Sequence, residues 1–151
     1  MIGTKIIVTG DKDLRRKFAQ MTASAQGMAL SLAAQAGGEA IRSEASQRAP
    51  YLSGTLRRSI HTVVVRKGMR ADCTIGTNLV YAAIQEFGGV ISAKRARMLA
   101  FQIDGEWVFA KQVTIPAHPY LRPAFDYKVG EAIIQVGAVF KELVIGPVVA
   151  S

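Results

Sequence analysis

The sequence predicts an α+β fold, an antiparallel sheet packed by a long N-terminal helix, a short inserted helix and a C-terminal helix. Apolar residues recur every three or four positions between Leu14 and Leu32, which is helical spacing. Short β-branched runs such as His61 to Arg66 are bounded by turn residues, and the pair Asp104-Gly105 is a strong hairpin signal. We predict a single domain over residues 1–151, because this length fits one domain and no repeat divides it.

The N-terminal third is predicted to be a short strand followed by a long helix. Lys5 to Thr9 is a β-branched run, and Asp11 or Asp13 can cap the helix because a short side-chain oxygen accepts the unpaired N–H groups of its first turn. The helix should span residues 13–48, since the residue before Pro50 avoids helical backbone. Gly37-Gly38 predicts a bend or break there, or two helices in sequence. The helix carries an apolar seam with the spacing of packed helices, formed by Leu14, Phe18, Met21, Ala25, Met28 and Leu32.

The sheet and the inserted helix are predicted between residues 60 and 115. Residues 53–60 should form a turn with one short helical turn, and residues 61–66 and 71–76 should be paired strands. An amphipathic helix is expected over residues 78–87, ended by Gly88-Gly89. Residues 90–97 are predicted to be a basic loop.

The C-terminal third should begin with a hairpin and end with a helix. Residues 98–103 and 106–115 are the predicted strands of the hairpin. A loop with prolines at 116, 119 and 123 should follow, and the last helix is predicted over residues 124–144.

Composition limits the cellular setting. Half of the residues are hydrophobic and one fifth are charged, as in a globular protein that buries a core. There is no apolar run of about 18 residues, so we expect no membrane-spanning segment. The N-terminal residues lack the order of a signal peptide, so we expect a protein made and kept in a cytoplasm. The single cysteine, Cys73, lies in a predicted strand and is expected to be a core residue.

The positive charge is unevenly distributed. The chain carries a net charge of +8, and the segment from Arg42 to Arg97 has ten basic and three acidic residues, a net +7. This asymmetry points to an acidic partner, either a polyanion or a negatively charged protein surface, although for a charge cluster alone a solvated basic face is the better explanation.

The sequence contains no recognisable catalytic or cofactor-binding motif. The two histidines, His61 and His118, have no Cys or carboxylate at metal-ligand spacing, and no phosphate-binding glycine loop is present. Glu86 and Asp126 are isolated carboxylates. We therefore expect no cofactor, no metal and no enzymatic activity. The basic residues near Lys94 have no interleaved aromatic side chains to stack bases, which argues against sequence-specific nucleic-acid binding.

Three segments in order resemble a phage protein family. They are residues 49–60 (APYLSGTLRRSI), 81–88 (YAAIQEFG) and 115–125 (IPAHPYLRPAF), preceded by the long Ala-rich helix. Together they resemble the tailed-phage neck and tail-completion proteins of the minor-tail-protein-Z type, and the third segment is similar to phage virion-morphogenesis proteins. The resemblance implies a small α+β structural subunit that forms a ring between head and tail, and it implies that this ring is a hexamer. Implied partners are further copies of the chain, head-completion or adaptor proteins, tail-tube or tail-terminator proteins and the DNA in the channel.

Two surface hypotheses follow from these segments. Prolines stiffen the loop before the last helix, and glycine ends the inserted helix, so both sites can present side chains at little entropic cost. We predict a subunit interface there, although an intramolecular plug over the sheet accounts equally well for Tyr120 and Leu121. Arg122 is either a solvated charge or one member of an ion pair across the subunit boundary, with Glu86 as the candidate partner. The predicted interface residues are Glu86, Phe87, Tyr120, Leu121 and Arg122. A second surface, facing DNA or a partner protein, is predicted at Lys94, Arg95 and Arg97.

Two alternative functions stay open at this stage. One is a tail terminator that caps the tail tube, and the other is a basic accessory protein that binds DNA without sequence preference. The salt dependence of DNA binding separates the second from the structural roles, because phosphate contacts weaken steeply with salt.

Overall fold

Five helices and six strands follow one another in the structure, a computed structural model that describes residues 12–51, 53–94 and 97–146, with Asp13 described by its backbone only. The helices are α1 (Lys12–Gln20), α2 (Ala23–Arg48), α3 (Thr55–Ser59), α4 (Ala82–Phe87) and α5 (Leu121–Ile145). The strands are β1 (His61–Lys67), β2 (Arg70–Gly76), β3 (Gly89–Ser92), β4 (Leu99–Ile103), β5 (Glu106–Ala110) and β6 (Gln112–Ile115). The predicted α+β class is confirmed. The strand predicted over residues 5–9 lies outside the described residues.

The predicted alternative of two helices in sequence is confirmed, but they are divided at Met21 and Thr22 and not near Gly37, where α2 is continuous. Thr22 has extended backbone, and its hydroxyl accepts a hydrogen bond from the N–H of Ala25 at 3.3 Å, so it caps α2. The end predicted from Pro50 is confirmed, since α2 stops at Arg48 and Ala49 is extended.

α2 and α5 form the centre of the molecule as an antiparallel pair. The guanidinium of Arg48 lies 5.2 Å from the ring centroid of Tyr127, at the start of α5. At the other end, the rings of Phe18 on α1 and Phe140 on α5 are 5.0 Å apart. The face of α2 that is buried consists of small residues and one Ile, at Gly27, Ala29, Ala33, Gly37, Gly38, Ile41 and Ala45.

Adjacent glycines let two elements approach α2 from different sides. A Cβ at Gly37 would lie 2.5 Å from the Cγ2 atom of Val136 on α5. A Cβ at Gly38 would lie 2.3 Å from the Sγ atom of Cys73 on β2. Both glycines therefore allow close packing against α2, which is helical without interruption at these positions.

The predicted apolar seam is only partly internal. Leu14, Phe18 and Met21 are half-buried, and Phe18 packs on α5. On α2, however, Met28 is 63% exposed and Leu32 is 46% exposed, so this half of the seam faces away from the core formed by the described residues. The spacing of Met28 and Leu32 is typical of residues that pack against another helix, but α5 packs against the small residues on a different face of α2.

The strands form three separate two-stranded antiparallel sheets among the described residues. β1 and β2 pair from His61↔Gly76 to Lys67↔Arg70, as predicted, and pack against α2. β3 pairs with β6, and β4 pairs with β5 around the turn at Asp104-Gly105. Both turn residues have positive φ, 52° and 87°, which is the geometry expected of this dipeptide in a tight hairpin.

Residues 89–115 form one long hairpin, which we call the arm. β3 and β4 are its outgoing branch, and β5 and β6 are its return branch. We call the segment between β3 and β4 the bulge; its described residues are 93–94 and 97–98. The carbonyl of Lys111, between β5 and β6, accepts a hydrogen bond from the N–H of Ala93 at 3.1 Å. Two predictions are corrected here: residues 90–92 belong to strand β3 rather than to a basic loop, and residues 106–115 are two strands rather than one.

Candidate assembly surfaces

A buried carboxylate joins α4 to the start of α5. Glu86 on α4 is buried, and Oε2 accepts hydrogen bonds from the backbone N–H groups of Tyr120 at 2.8 Å and Leu121 at 2.9 Å. Oε1 accepts a third, from the N–H of Arg122 at 3.0 Å. In addition, the N–H of His118 donates to the carbonyl of Gln85 at 2.7 Å. The loop that precedes α5 is therefore bound to α4 at His118 as well as at residues 120–122.

The chemistry of a helix start explains this arrangement. The first N–H groups of an α-helix have no partner within the helix, and its N-terminus carries partial positive charge. α5 begins at Leu121 after Tyr120, and no side chain of its own caps it. Glu86 supplies the missing acceptors from a different helix. Tyr120 is buried beside it, and burial, followed by the nearby charge of Glu86, raises the pKa of its phenol.

The three segments that carry the phage resemblance meet in one core. Its fully buried members come from α2, α3, α4 and the α5 junction: Ala45, Ala49, Leu56, Ile60, Ala82, Tyr120 and Ala124. All of them except Ala45 lie within the three segments. The segments are therefore adjacent in space, and they build the packing between the helices.

The first of these segments is held by polar contacts as well. Gly54 adopts φ 72° between the side chains of Tyr51 and Arg58, a backbone conformation that other residues rarely adopt. The Nε atom of Arg57 donates to the carbonyl of Ala49 at 2.8 Å, and its guanidinium lies 5.0 Å from the ring centroid of Tyr51. These contacts fix the turn from α2 into α3.

The interface prediction is corrected for two of its five residues. Glu86 and Tyr120 are buried inside the subunit, so neither can be a contact residue in this conformation. The carboxylate of Glu86 binds the backbone N–H of Arg122 within the same chain, which replaces the predicted ion pair across a subunit boundary. Leu121 is half-buried, whereas Arg122 and Phe87 are exposed, Phe87 by 71%. An interface role for these exposed residues stays a prediction.

The predicted basic surface lies on the bulge of the arm. Lys94 and Arg97 are both exposed there, and Arg95 lies outside the described residues. Whether this bulge faces DNA or a protein stays a prediction.

The core site was missed from sequence, although signals for it exist. Ala82 and Glu86 are four residues apart and so share the buried face of α4. The segment Pro119-Tyr120-Leu121 opens a helix without a Ser, Thr, Asp or Asn that could cap it. An uncapped helix start and a Glu on an otherwise apolar helix face together indicate a cap supplied from elsewhere in the chain.

A second surface was also missed, and it is apolar. On the arm, Trp107 is 64% exposed and Phe109 is 63% exposed. Contiguous exposed apolar side chains of this kind mark sites where proteins bind one another. Within the described residues, no three His, Cys, Asp or Glu side chains cluster as a metal site would require. None of the described helices combines the length and the apolar character needed to cross a bilayer.

The structure thus combines a core fixed through backbone hydrogen bonds with large apolar side chains exposed on its surface. Comparison with known families identifies the kind of assembly. Residues 12–88 match the family described as "Bacteriophage HK97-gp10, putative tail-component". The chain belongs to this family of phage tail components, which confirms the resemblance drawn from its three segments. No curated protein and no solved structure matched the chain.

Proposed function

We propose that this protein is a ring-forming neck or tail-completion subunit of a tailed-phage virion or prophage particle, where it joins head and tail. The family match carries the proposal, because a phage tail component works by contact with other virion proteins. The exposed apolar arm supports it, since such a surface needs a protein partner. In this proposal the protein has no catalytic activity and no cofactor, and its location is the neck of the virion after assembly in the host cytoplasm.

The proposed partners are further copies of this chain and the proteins above and below the ring. These are the head-completion or adaptor protein on one side and the tail-tube or tail-terminator protein on the other. A closed ring requires that two different surfaces of the subunit complement each other head to tail. The exposed residues around the α4–α5 junction, Phe87 and Arg122, lie near the base of the arm and are candidates for one of these surfaces.

Deletion of the gene from its phage or prophage tests the proposal directly. We expect lysates to contain filled heads and complete tails that are not joined, as seen by electron microscopy, and a plasmid copy of the wild-type gene should restore joined particles. Tails of abnormal length would instead identify a tail terminator, and empty heads would indicate an earlier packaging role. Normal virions in the deletion strain would refute any role in joining.

The basic bulge of the arm can be tested in the same system. Neutralising Lys94, Arg95 and Arg97 together should leave the melting temperature of the isolated protein nearly unchanged, because substitutions at exposed positions usually alter stability by about 0.5 kcal/mol or less. We expect fewer joined particles or loss of DNA from them. If purified protein binds duplex DNA with an affinity that falls steeply with salt, and the triple variant does not, the bulge contacts phosphate. Wild-type yields of infectious particles from the triple variant would show that the bulge contributes nothing to assembly.

A further inference from the structure

The outer part of the arm is the β4–β5 ribbon, residues 99–110, and one of its faces is aromatic. Residues directly opposite each other in an antiparallel pair share a face. The pairs Ala100↔Phe109 and Gln102↔Trp107 therefore place both exposed aromatic rings on one side, which we call the aromatic face. No strand of the arm packs extensively against a helix or against β1 and β2 in the described parts of the chain.

The ribbon is an acidic segment of a basic protein. Its only charged residues are Asp104, in the turn, and Glu106, at the start of β5, so it has a net charge of −2 in a chain of net charge +8. Both residues are exposed, and neither forms an ion pair with another described residue. A surface that receives the ribbon should therefore present apolar side chains beside positive charge.

The β1–β2 hairpin presents such a surface on the side that faces away from α2. The side chain of Thr62 lies over Gly38 of α2, so the alternate residues Val63, Val65 and Lys67 point away from that helix. The two valines are 44% and 48% exposed. We call these three outward-pointing residues of β1 the hairpin face.

Positive charge lies at the turn end of the hairpin face. Lys67 and Arg70 are directly opposite each other and share this face. Residues 61–76 include these two basic residues, Arg66 and one acidic residue, Asp72, so the hairpin has a net charge of +2. Arg70 pairs with Asp72, whereas Lys67 has no ion-pair partner among the described residues. The hairpin thus carries the charge that complements the ribbon.

The two surfaces also agree in their layout. In each hairpin the charged residues lie at or beside the turn, and two apolar side chains follow on one face at an interval of two residues, about 7 Å. These side chains are Trp107 and Phe109 on the ribbon and Val65 and Val63 on the hairpin face. Stacking of the two ribbons about 10 Å apart can therefore place rings over valines while the opposite charges meet at the turns.

We propose that the β4–β5 ribbon of one subunit docks through its aromatic face on the hairpin face of a second copy of this chain. The inference rests on the proposed ring and names the contact between its subunits. Ribbon and hairpin are different surfaces of one subunit, so their pairing is head to tail and can repeat around a closed ring. Trp107 and Phe109 supply the apolar contact, and the charges of Glu106 and Lys67 select the partner surface.

Exchange of charge between the two surfaces tests this choice of partner. Glu106→Lys and Lys67→Glu should each raise the concentration at which self-association occurs, measured by light scattering, by about fivefold or more, because each places like charges together. The double variant restores opposite charges and should associate within about twofold of wild type. The matched controls, Glu142→Lys and Lys141→Glu, make the same changes at exposed positions of α5 and should leave self-association unchanged.

Fluorescence and cross-linking test the geometry of the contact. Trp107 is the only tryptophan in the chain, so its emission should shift to shorter wavelength as molar mass rises. In a Cys73→Ser background, Gln102→Cys on the aromatic face and Thr74→Cys opposite Val63 are both at exposed positions. A bifunctional maleimide that spans about 10 Å should link these two variants when they are mixed. Circular dichroism establishes that every variant is folded.

Each alternative outcome is distinct. A double variant that associates no better than either single variant, or a wild-type chain that stays monomeric at every concentration, would refute this contact and leave the proposed function standing. A link within one chain that carries both cysteines would show that the ribbon folds back on its own hairpin. Cross-linking of Gln102→Cys to a different virion protein, without a link between copies, would assign the ribbon to that protein and refute the inference.

Discussion

Replacing Glu86 by Gln should destabilise the subunit strongly, because this side chain is the N-terminal cap of α5. The carboxylate accepts three backbone hydrogen bonds, of 2.8, 2.9 and 3.0 Å, from N–H groups that have no helical partner. Gln has the same shape, but one of its terminal atoms is an amide nitrogen that carries hydrogens. That nitrogen would face N–H donors, so one or two of the three bonds are lost.

The magnitude follows from the kind of bond. Hydrogen bonds to a charged group contribute about 1.5–3 kcal/mol each, but bonds made by one carboxylate are not additive. We therefore expect Glu86→Gln to lower the free energy of unfolding by about 2–3 kcal/mol. Glu86→Ala, which leaves all three N–H groups without an acceptor, should lower it by about 3–5 kcal/mol. A loss of that size is a large fraction of the roughly 5–15 kcal/mol that stabilises most domains.

Urea unfolding followed by circular dichroism measures both losses. A suitable control is Glu142→Gln, which makes the same chemical change at an exposed position of α5 and should alter stability by about 0.5 kcal/mol or less. If Glu86→Gln unfolds at the same urea concentration as wild type with the same slope, the carboxylate does not cap α5 and the proposed core is wrong. The reasoning also predicts that Glu86→Arg, a substitution suited to an exposed interface residue, disrupts the fold itself.

Two further predictions concern the packing around α2. Gly37→Val should destabilise the protein by about 1–3 kcal/mol through overpacking against Val136 on α5. Gly137→Ala, which has open space at its Cβ, should instead stabilise α5 by about 0.5–1 kcal/mol. Equal shifts in melting temperature for the two variants would contradict the close approach of α2 and α5. Burial, followed by the charge of Glu39, raises the pKa of the Cys73 thiol, so at pH 8 less thiolate is present and an aromatic disulfide reagent should react about tenfold or more slowly with folded than with urea-unfolded protein. A fast reaction of the folded protein would show that β2 is not packed on α2 as the structure has it.

The elements that the sequence predicts well are those fixed by local chemistry. The Asp104-Gly105 turn needs two residues that tolerate positive φ, and this requirement is visible in the dipeptide itself. Pro50 excludes helical backbone from Ala49 whatever surrounds it, so the end of α2 is likewise local. The pairing of β1 with β2 follows from two short strands joined by a tight turn.

The face of α2 that packs in the core could not be predicted from hydropathy. Large apolar side chains at Met28 and Leu32 gave the stronger periodic signal, and yet both are exposed. The buried face uses Ala and Gly at four-residue intervals, because α5 approaches too closely for larger side chains. Hydrophobic periodicity gives most weight to large apolar side chains, whereas a closely packed pair of helices buries the face that carries the smallest ones.

The role of Glu86 escaped prediction for a different reason. Its partners are backbone N–H groups of residues 120–122, far away in sequence, and backbone groups leave no residue type by which to recognise them. The prolines around Tyr120 stiffen the chain, and from the sequence this side chain could equally well be presented to another subunit or packed inside its own. In the structure this loop directs Tyr120 into the core. It also places the N–H groups of residues 120–122 within hydrogen-bond distance of the Glu86 carboxylate.

The family match ends at the boundary between the helices that form the core and the exposed arm. Matched residues end at 88, immediately before the arm begins at Gly89. They include the helices that form the core with α5, and they include the carboxylate that caps it. The arm lies beyond the match and carries two exposed aromatic side chains, Trp107 and Phe109. We therefore predict that the matched helices together with α5 form a scaffold, and that the arm can be exchanged without altering the packing of that scaffold. Exchange of residues 89–115 between this protein and another family member should preserve the fold of the recipient, and a chimera that fails to fold would show that arm and scaffold are not independent.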